Sequence, residues 1–348
     1  MEAVINFLNK YKIKILIIII IIVLVIIAIN IINKSKRNYE IEEVKENIYS
    51  VFEKNGKFGV INNKEETIVN PIYDYVKIPN EERDVFICLY NYNEKDETYK
   101  TKILNQKENE IFTHFQDVDA ISLNESLSNN KYENNLLIYK ENEKYGLINL
   151  KGKKITKAIY EEIKNLNGKV GELSVKKDGK YGVINNKGNI LIDIKYDYVE
   201  ADEYYSENNG YKISGYIVGN ITKQGMRYGY INYKFKNLLK IEYNEIYRLS
   251  GMDINDANIY LVARKNGQYG LVKDKKNIID FKYQEIMYTG INNLLILTKG
   301  SKKGVYNIEG EKIVNTKYED IYIEDTYINA IKNAKETHFD FYGNEIKN

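Results

Sequence analysis

The chain has 348 residues, enough for one long repeat array plus an accessory segment, and its charges nearly balance at a formal net charge of +2. Residues 1–37 hold six Lys or Arg and one acid, so the remainder has 45 basic and 48 acidic residues, a net charge of −3. Nucleic-acid-binding domains present a basic face, so this balance argues against nucleic acid as a principal partner. The single cysteine excludes a disulfide framework within the chain.

The first element is an apolar segment, residues 15–33, that follows a short tail of residues 1–14. Within residues 15–32 only Asn30 is strongly polar. Eighteen helical residues span about 27 Å, close to the roughly 30 Å of a bilayer core. A cleaved signal peptide is the rival interpretation, but the apolar core is too long and no small-x-small cleavage pattern follows it. The sequence therefore predicts an uncleaved single-pass transmembrane helix, a signal-anchor.

The flanking charges leave the orientation of this helix open. Three basic residues precede the apolar segment and three follow it, so the positive-inside rule gives a tie. We favour an array outside the cytoplasm, at the cell surface, because short-tailed bacterial anchors usually present their domain outward. Residues 34–50 are predicted to be a juxtamembrane linker, and residues 51–348 the repeat domain.

A short unit recurs through residues 51–348, and its cleanest copy runs from Lys177 to Val199. The unit begins with a turn and an aromatic–glycine pair, has a second turn at its middle, and ends in a Tyr-acid-x-Val group. Lys303-Gly304 is a copy of the pair that has lost the aromatic residue. The intact pairs are Phe58-Gly59, Tyr145-Gly146, Tyr181-Gly182, Tyr228-Gly229 and Tyr269-Gly270.

The spacing within the unit is nearly constant. The distance from the pair to the Tyr of the ending is 15 residues at 58→73, 145→160, 181→196, 228→243 and 303→318, and 14 residues at 269→283. The distance from one ending to the next pair varies, for example 21 residues at 160→181 and 32 at 196→228. A constant module joined by tolerant connections is typical of a repeat array with loop insertions on one edge.

The module has the composition of β-strands. Val183-Ile184 and Ile190–Ile192 are β-branched or aliphatic runs bounded by glycine-containing turns. Asn55-Gly56, Asp178-Gly179 and Asn266-Gly267 suit type I′ hairpin turns, in which both central residues have positive φ. A glycine inside a strand marks a bulge or a close backbone approach. We expect the glycine after the aromatic residue to lie under the ring of a neighbouring unit, and a turn or bulge to lie within the ending.

The order of these features resembles the WG repeat, also called KWG, of bacterial proteins. The resemblance covers about residues 51–346, with Tyr or Phe in place of the repeat's Trp and with the family's proline kept only at Pro71. It implies an all-β repeat domain without established catalytic residues, and it does not imply a ligand.

The four longest connections, residues 77–98, 122–135, 200–224 and 249–258, join these modules. We expect their strand-like parts to complete the sheets and their polar parts to be loops on one edge. Exposed tyrosines suit the binding of glycans or peptides, because a rigid amphipathic ring loses little entropy. The alternative is that coding bias and sheet packing account for these rings, since the chain has 33 tyrosines. The candidate ligand-binding residues are Tyr90, Tyr92, Tyr204, Tyr205 and Tyr211.

Residues that could carry catalysis do not form a recognisable pattern. His114 and His338 lie in two degenerate copies of the unit, without a Ser or Cys nucleophile nearby in sequence. Cys88 lies in an apolar strand and suits an inert core thiol. The acids of the endings recur in every unit, which favours a structural role such as capping of a turn by Glu161 or Asp197. The sequence therefore predicts no enzyme, no metal site, no cofactor and no small-molecule substrate.

Together these patterns predict an all-β repeat array carried by one N-terminal transmembrane helix. An open, twisted superhelix of short antiparallel units is favoured because variable spacing suits stacking along an axis, and a closed β-propeller is the alternative. The predicted function is a binding module that presents loops to a surface glycan, peptide or protein partner. A purely structural scaffold or spacer in a membrane complex is the alternative.

Overall fold

The computed structural model of the protein describes residues 48–123, 131–166, 168, 170–206, 210–249, 259–273 and 275–347. The predicted tail, anchor helix and most of the predicted linker lie outside these residues. Within them the chain is all-β, and no helix has the length and apolar character needed to cross a membrane. The first strand begins at Tyr49, inside the segment assigned to the linker.

The described residues form eight antiparallel sheets, numbered 1 to 8 in chain order, in which sequential strands are neighbours. Sheets 1 to 4 contain, in order, β1–β3, β4–β6, β7–β9 and β10–β13: β1 Tyr49–Lys54, β2 Lys57–Asn62, β3 Thr67–Tyr73; β4 Tyr75–Lys77, β5 Phe86–Asn93, β6 Thr98–Leu104; β7 Asp117–Ser122, β8 Tyr132–Glu141, β9 Lys144–Asn149; β10 Glu162–Asn165, β11 Glu172–Lys177, β12 Lys180–Asn185, β13 Ile190–Tyr196. Sheets 5 to 8 contain β14–β17, β18–β21, β22–β25 and β26–β28: β14 Tyr198–Ser206, β15 Gly210–Thr222, β16 Gly225–Asn232, β17 Asn237–Tyr243; β18 Glu245–Arg248, β19 Tyr260–Lys265, β20 Gln268–Lys273, β21 Lys276–Tyr283; β22 Glu285–Tyr288, β23 Leu294–Lys299, β24 Lys302–Asn307, β25 Lys312–Tyr318; β26 Asp320–Ile323, β27 Ile328–Lys332, β28 Lys335–Phe339.

The Tyr-acid-x-Val ending belongs to two sheets. Tyr196 is the last residue of β13, Asp197 lies at a bend, and Tyr198 begins β14 in the next sheet. The predicted turn inside the ending is therefore confirmed, and it is the step from one sheet to the next. The same step occurs at Tyr243–Glu245 and at Tyr318–Asp320.

The register of the strands explains the constant spacing. The aromatic residue of each pair lies directly across from the Tyr of the ending, as Phe58 does from Tyr73 and Tyr181 from Tyr196. A cross-strand pair fixes the number of residues between its members once the turn is fixed. In sheet 6 the copy with a spacing of 14 has a shortened turn between β20 and β21, and Tyr269 still faces Tyr283.

The glycine of the pair faces the backbone of the next strand in its own sheet. A Cβ atom at Gly182 would lie 2.7 Å from the carbonyl oxygen of Ile192 and 2.8 Å from Cα of Ile194. The register between β12 and β13 shifts at this point, as expected for a bulge. The expectation of a ring from a neighbouring unit is wrong here, because the bulged strand fills the space itself.

A lysine and an acid fasten each module. The residue before the aromatic pair bonds the acid of the ending 17 residues later in four copies, as Lys180 Nζ does to Asp197 Oδ1 at 2.6 Å. Asp197 Oδ2 also accepts a hydrogen bond from the N–H of Ile221 in the next sheet. Where the ending carries an amide instead of an acid, the partner position is no longer lysine. The four ion pairs are Lys57–Asp74, Lys144–Glu161, Lys180–Asp197 and Lys302–Glu319.

An asparagine closes the turn between the third and fourth strands. Asn185 Oδ1 accepts hydrogen bonds from the N–H groups of Lys187 and Asn189, at 2.9 Å each. These are Asx bonds, in which a short side chain replaces the backbone acceptor of a turn. The same pair of bonds is made by Asn62, Asn105, Asn149, Asn232, Asn307 and Asp340.

The connections divide between the two ends of each sheet. The third strand of a module is joined to the second by a two-residue hairpin at 55–56, 142–143, 178–179, 223–224, 266–267, 300–301 and 333–334, and by residues 94–97 in sheet 2. Positive φ at Asn55-Gly56, Asp178-Gly179 and Asn266-Gly267 confirms the predicted type I′ turns. The connections between first and second strands, such as 78–85 and 249–259, vary in length and leave from the opposite end.

Each hydrophobic core lies between two consecutive sheets. One cluster joins Tyr196 and Val183 of sheet 4 to Val218 and Tyr216 of sheet 5, and six similar clusters join the other neighbouring sheets. Stability is therefore built from contacts between nearest neighbours, as in other repeat proteins. Among the described residues, strands pair only within their own sheet, so strand pairing closes no barrel or propeller.

Candidate binding cleft

The largest recess described lies along strand β17, the outer strand of sheet 5. It has a volume of about 800 Å³ and is lined by all seven residues of β17, from Asn237 to Tyr243. One wall comes from sheet 4, with Lys195 and Tyr196, and the other from sheet 6. Its volume falls in the range of roughly 300–1,000 Å³ typical of ligand sites. We refer to this recess as the β17 cleft.

The apolar part of the β17 cleft comes from aromatic rings that the fold holds rigidly. Tyr243 is buried and lies across from Tyr228 in the sheet. Its ring centroid is 5.7 Å from that of Phe281, on the neighbouring sheet. Burial, with Glu242 beside it, raises the pKa of Tyr243, so the phenol stays neutral at physiological pH. The rings therefore offer apolar surface and no negative charge.

The charged part of the β17 cleft is mostly basic. Lys195 bonds Asp193 at 2.7 Å, which raises the pKa of its ammonium, and Lys265 bonds Glu242 at 3.0 Å. Lys240 and Lys275 also line the cleft, and both are exposed. Within the described ranges, neither of these two lysines makes a salt bridge. The cleft therefore has four lysines against one lining acid, Glu242.

The backbone of β17 offers a free edge to the same space. In sheet 5, β17 is the last strand and pairs with β16 alone. In the part of the chain described, no backbone hydrogen bond joins β17 to a strand of sheet 4 or sheet 6. An edge strand presents a row of N–H and C=O groups that can pair with another chain.

The predicted tyrosines do not line the β17 cleft. Tyr90 is half-buried, with its ring centroid 6.3 Å from that of Tyr73 and with Lys102 Nζ 5.5 Å from the centre of its ring. Tyr92 is 46% exposed and its ring lies 4.7 Å from that of Tyr99. Both are near the hairpin of residues 94–97, at the short-turn end of sheet 2.

The second predicted group lies at the opposite end of its sheet. Tyr204 is near the end of β14, is buried, and lies under the guanidinium of Arg248, with Cζ 5.0 Å from the ring centre. Tyr205 and Tyr211 face each other in register across β14 and β15. The fold therefore does not bring Tyr90 and Tyr92 together with Tyr204, Tyr205 and Tyr211 at one end of the sheets. A recess of about 750 Å³, with Glu203 in its lining, lies near this second group.

A buried polar cluster lies where sheets 5 and 6 meet. The hydroxyl of Tyr230 donates to Asp202 Oδ2 at 2.6 Å, and Arg248 Nε is 3.5 Å from the same oxygen. Ser214 Oγ bonds the carboxylate of Asp202 and lies 2.9 Å from the hydroxyl of Tyr230. Burial and the negative charge of Asp202 raise the pKa of Tyr230 strongly. Because Ser214 and Tyr230 are 4% and 0% exposed, the cluster suits fastening of two sheets.

The other polar residues of the sequence are dispersed. His114 stacks on Phe115 with centroids 4.1 Å apart, and His338 stacks on Tyr327 at 4.8 Å. Cys88 is fully buried, and burial raises its pKa to about 12. Among the described residues no group of three His, Cys, Asp or Glu side chains could hold a metal ion.

Sequence reasoning missed Lys240, Lys275 and the edge of β17. A signal for them was present in the unit with a spacing of 14. In that unit Lys273 replaces the turn asparagine, and Lys275 lies in the shortened turn with a φ of 69°. The exception to the repeat therefore marks one wall of the cleft.

Comparison with known proteins matches the chain to the family model of the WG containing repeat at residues 58–83, 145–181, 181–209 and 228–269. No curated protein matches the sequence. Similar solved structures include the eukaryotic initiation factor (9% identity, TM-score 0.30, 86% of this chain and 84% of that one) and dihydro-heme d1 dehydrogenase NirN (10% identity, TM-score 0.27, 88% and 74%). Another is Hsv2p of Kluyveromyces lactis (10% identity, TM-score 0.22, 84% and 89%). Likenesses of this size do not assign a function to the chain.

Proposed function

Because the chain carries repeats of the WG-containing family, we propose that it is a non-catalytic β-repeat binding module. In this proposal residues 15–33 anchor it in the membrane as a single transmembrane helix, and the array binds a glycan, peptide or protein partner outside the cytoplasm. The observation that carries the proposal is the β17 cleft, in which rigid rings, unpaired lysines and a free strand edge meet in one space.

The β17 cleft suits binding better than catalysis. Its polar groups are lysines, asparagines and one glutamate, without a Ser, Cys or His in its lining. Aromatic anchors with a polar rim are typical of recognition sites. The lysines that surround the rings add charge selectivity and faster association with an oppositely charged partner.

The arrangement of the sheets supports an open superhelix. Each core joins nearest neighbours, and connection lengths vary without changing the module, as stacking along an axis allows. A closed β-propeller is the rival. Small-angle X-ray scattering of the protein in detergent, with the detergent matched out, separates an elongated particle from a disc.

The binding proposal is tested with the full chain purified in detergent and applied to glycan and peptide arrays. The variant Lys240→Glu/Lys275→Glu reverses the two unpaired charges of the cleft. The matched control Lys312→Glu/Lys335→Glu makes the same charge change at exposed positions outside the cleft lining. We expect the cleft variant to change the set of bound probes and the control to keep it. An array without a single specific signal from the folded wild type would favour the scaffold instead.

The orientation is tested by thiol labelling of intact cells. Cys88 is buried with a pKa of about 12, so the wild-type chain serves as the unlabelled control. A Ser206→Cys variant, at the variable end of sheet 5, should react with a membrane-impermeant reagent on intact cells. Labelling that appears only after lysis would place the array in the cytoplasm and exclude a surface partner.

A further inference from the structure

We infer that the outer edge of β17 docks an extended acidic segment of a partner protein, which adds to sheet 5 as a fifth strand. This inference rests on the proposed binding function and names the chemistry of the partner for the same cleft. It follows from three features of the cleft: the free backbone edge, the unbalanced lysines and the spacing of the apolar side chains.

The backbone edge gives the mode of binding. All seven residues of β17 line the cleft, so the recess follows the strand along its whole length. Alternate residues of a strand direct their N–H and C=O groups to the same edge, so about half of these residues offer both groups outward. A ligand that matches this row is another extended peptide, as in β-augmentation. Sheet 4 and sheet 6 provide walls on either side of it.

The lysines give the charge of the partner. Lys195 and Lys265 already have carboxylate partners, whereas Lys240 and Lys275 have none among the described residues. Lys240 is in the middle of β17, and Lys275 comes from the shortened turn of sheet 6, so the two charges reach the cleft from different sheets. Carboxylates on the added strand would pair with them, and a basic segment would be repelled.

The apolar side chains give the pattern of the partner. Along β17, exposed Lys240 and Glu242 alternate with Leu239, Ile241 and Tyr243, which are buried or half-buried. Strand residues alternate between the two faces of a sheet, so an added strand also has one polar and one apolar face. The sequence that fits is therefore one in which acids alternate with β-branched residues, the acids facing the lysines and the others facing Phe281 and its neighbours.

The test uses the full chain in detergent and blocked peptides of seven residues, the length of β17. One peptide alternates Glu with Val and a second alternates Lys with Val. Two further versions of the acidic peptide carry N-methyl groups on the odd or on the even peptide nitrogens, which removes the donors of one edge at a time. Binding is measured by isothermal titration calorimetry and by competition.

We expect the acidic peptide to bind at least about tenfold more tightly than the basic one, and Lys240→Glu/Lys275→Glu to lose that preference. One N-methylated version should lose at least about tenfold in affinity while the other keeps it, because an added strand uses one edge. The control Lys312→Glu/Lys335→Glu should bind as the wild type does, and circular dichroism should show both variants folded.

Equal binding of both N-methylated versions, or loss of both, would overturn strand addition. If the arrays identify an acidic glycan that requires Lys240 and Lys275 while the peptides fail to bind, the binding function stands and the peptide inference falls. Self-association through β17 that displaces the peptides would likewise overturn it in favour of a second copy of the chain. Failure of every ligand class with an intact fold removes the proposed function itself.

Discussion

A methyl group added at Gly182 should destabilise the fold because no space exists for it. The Cβ atom of an alanine there would lie 2.7 Å from the carbonyl oxygen of Ile192 and 2.8 Å from Cα of Ile194. Both are backbone atoms of the bulged strand β13, so the clash cannot be relieved by rotation of a side chain. The strand would have to move away from β12 by several tenths of an ångström.

The expected cost follows from overpacking. Inserting a methylene group into a packed site costs about 1–3 kcal/mol in the free energy of unfolding. Loss of glycine's extra freedom in the unfolded chain offsets about 0.4–1 kcal/mol of that cost. We therefore expect Gly182→Ala to lose about 1–2 kcal/mol, and Gly182→Val, with two more methyl groups, to lose more.

The assay is urea unfolding of the full chain in detergent, followed by far-ultraviolet circular dichroism and tyrosine fluorescence, since the chain has no Trp. Hydrogen exchange locates the loss, which should be greatest in β12 and β13. Gly179→Asn is the control, because its φ of 75° is accessible to asparagine and no atom lies within 4 Å of the added Cβ. An unchanged unfolding midpoint for Gly182→Val would refute the steric argument.

The remaining predictions concern the turn, the ion pair and the tyrosines. Replacing Asn185 by Ala should lower the free energy of unfolding by about 1–3 kcal/mol, because two N–H groups lose their acceptor, while Asp at this position should be tolerated; urea titration distinguishes them. The hydrogen bond from Lys180 lowers the pKa of Asp197, so its stabilising contribution is present above the unfolded carboxyl pKa and is lost as pH falls through the lower folded value. Asp197→Asn should therefore flatten the acid limb of stability between about pH 5 and pH 2, and an identical limb would contradict the pairing. Tyr204→Ala should destabilise by about 3–5 kcal/mol because the ring is buried under a guanidinium, whereas Tyr92→Ala should leave the thermal midpoint nearly unchanged; equal midpoints would be inconsistent with their burial.

Local features of the fold could be predicted because they depend on residues close in sequence. The type I′ turns at Asn55-Gly56 and Asp178-Gly179 follow from the need for two positive φ angles in succession. The strands around Val183 and Ile190 follow from β-branched runs between turns. The constant distance from Tyr181 to Tyr196 also predicted a rigid module, because a cross-strand pair fixes it.

The candidate site could not be predicted in this way. Tyr204 was expected to be an exposed ligand-binding ring, but Arg248, 44 residues away in sequence, covers it. The tyrosines near residues 90 and 204 were expected at one edge, but one group is at the short-turn end of its sheet and the other at the variable end. Both outcomes depend on strand direction and on packing between sheets, which composition does not specify.

The sequence by itself determined the repeat unit, its turns and its β character, because turn chemistry and side-chain alternation act over a few residues. Only the tertiary structure decided that the ending of each unit is divided between two sheets, and that Tyr196, Lys240 and Lys275 meet around one free strand edge. These residues come from three different sheets, and each sheet buries its apolar face only against its neighbours. The position of the cleft therefore follows from how the sheets stack, a property of the whole array that no single copy of the repeat contains.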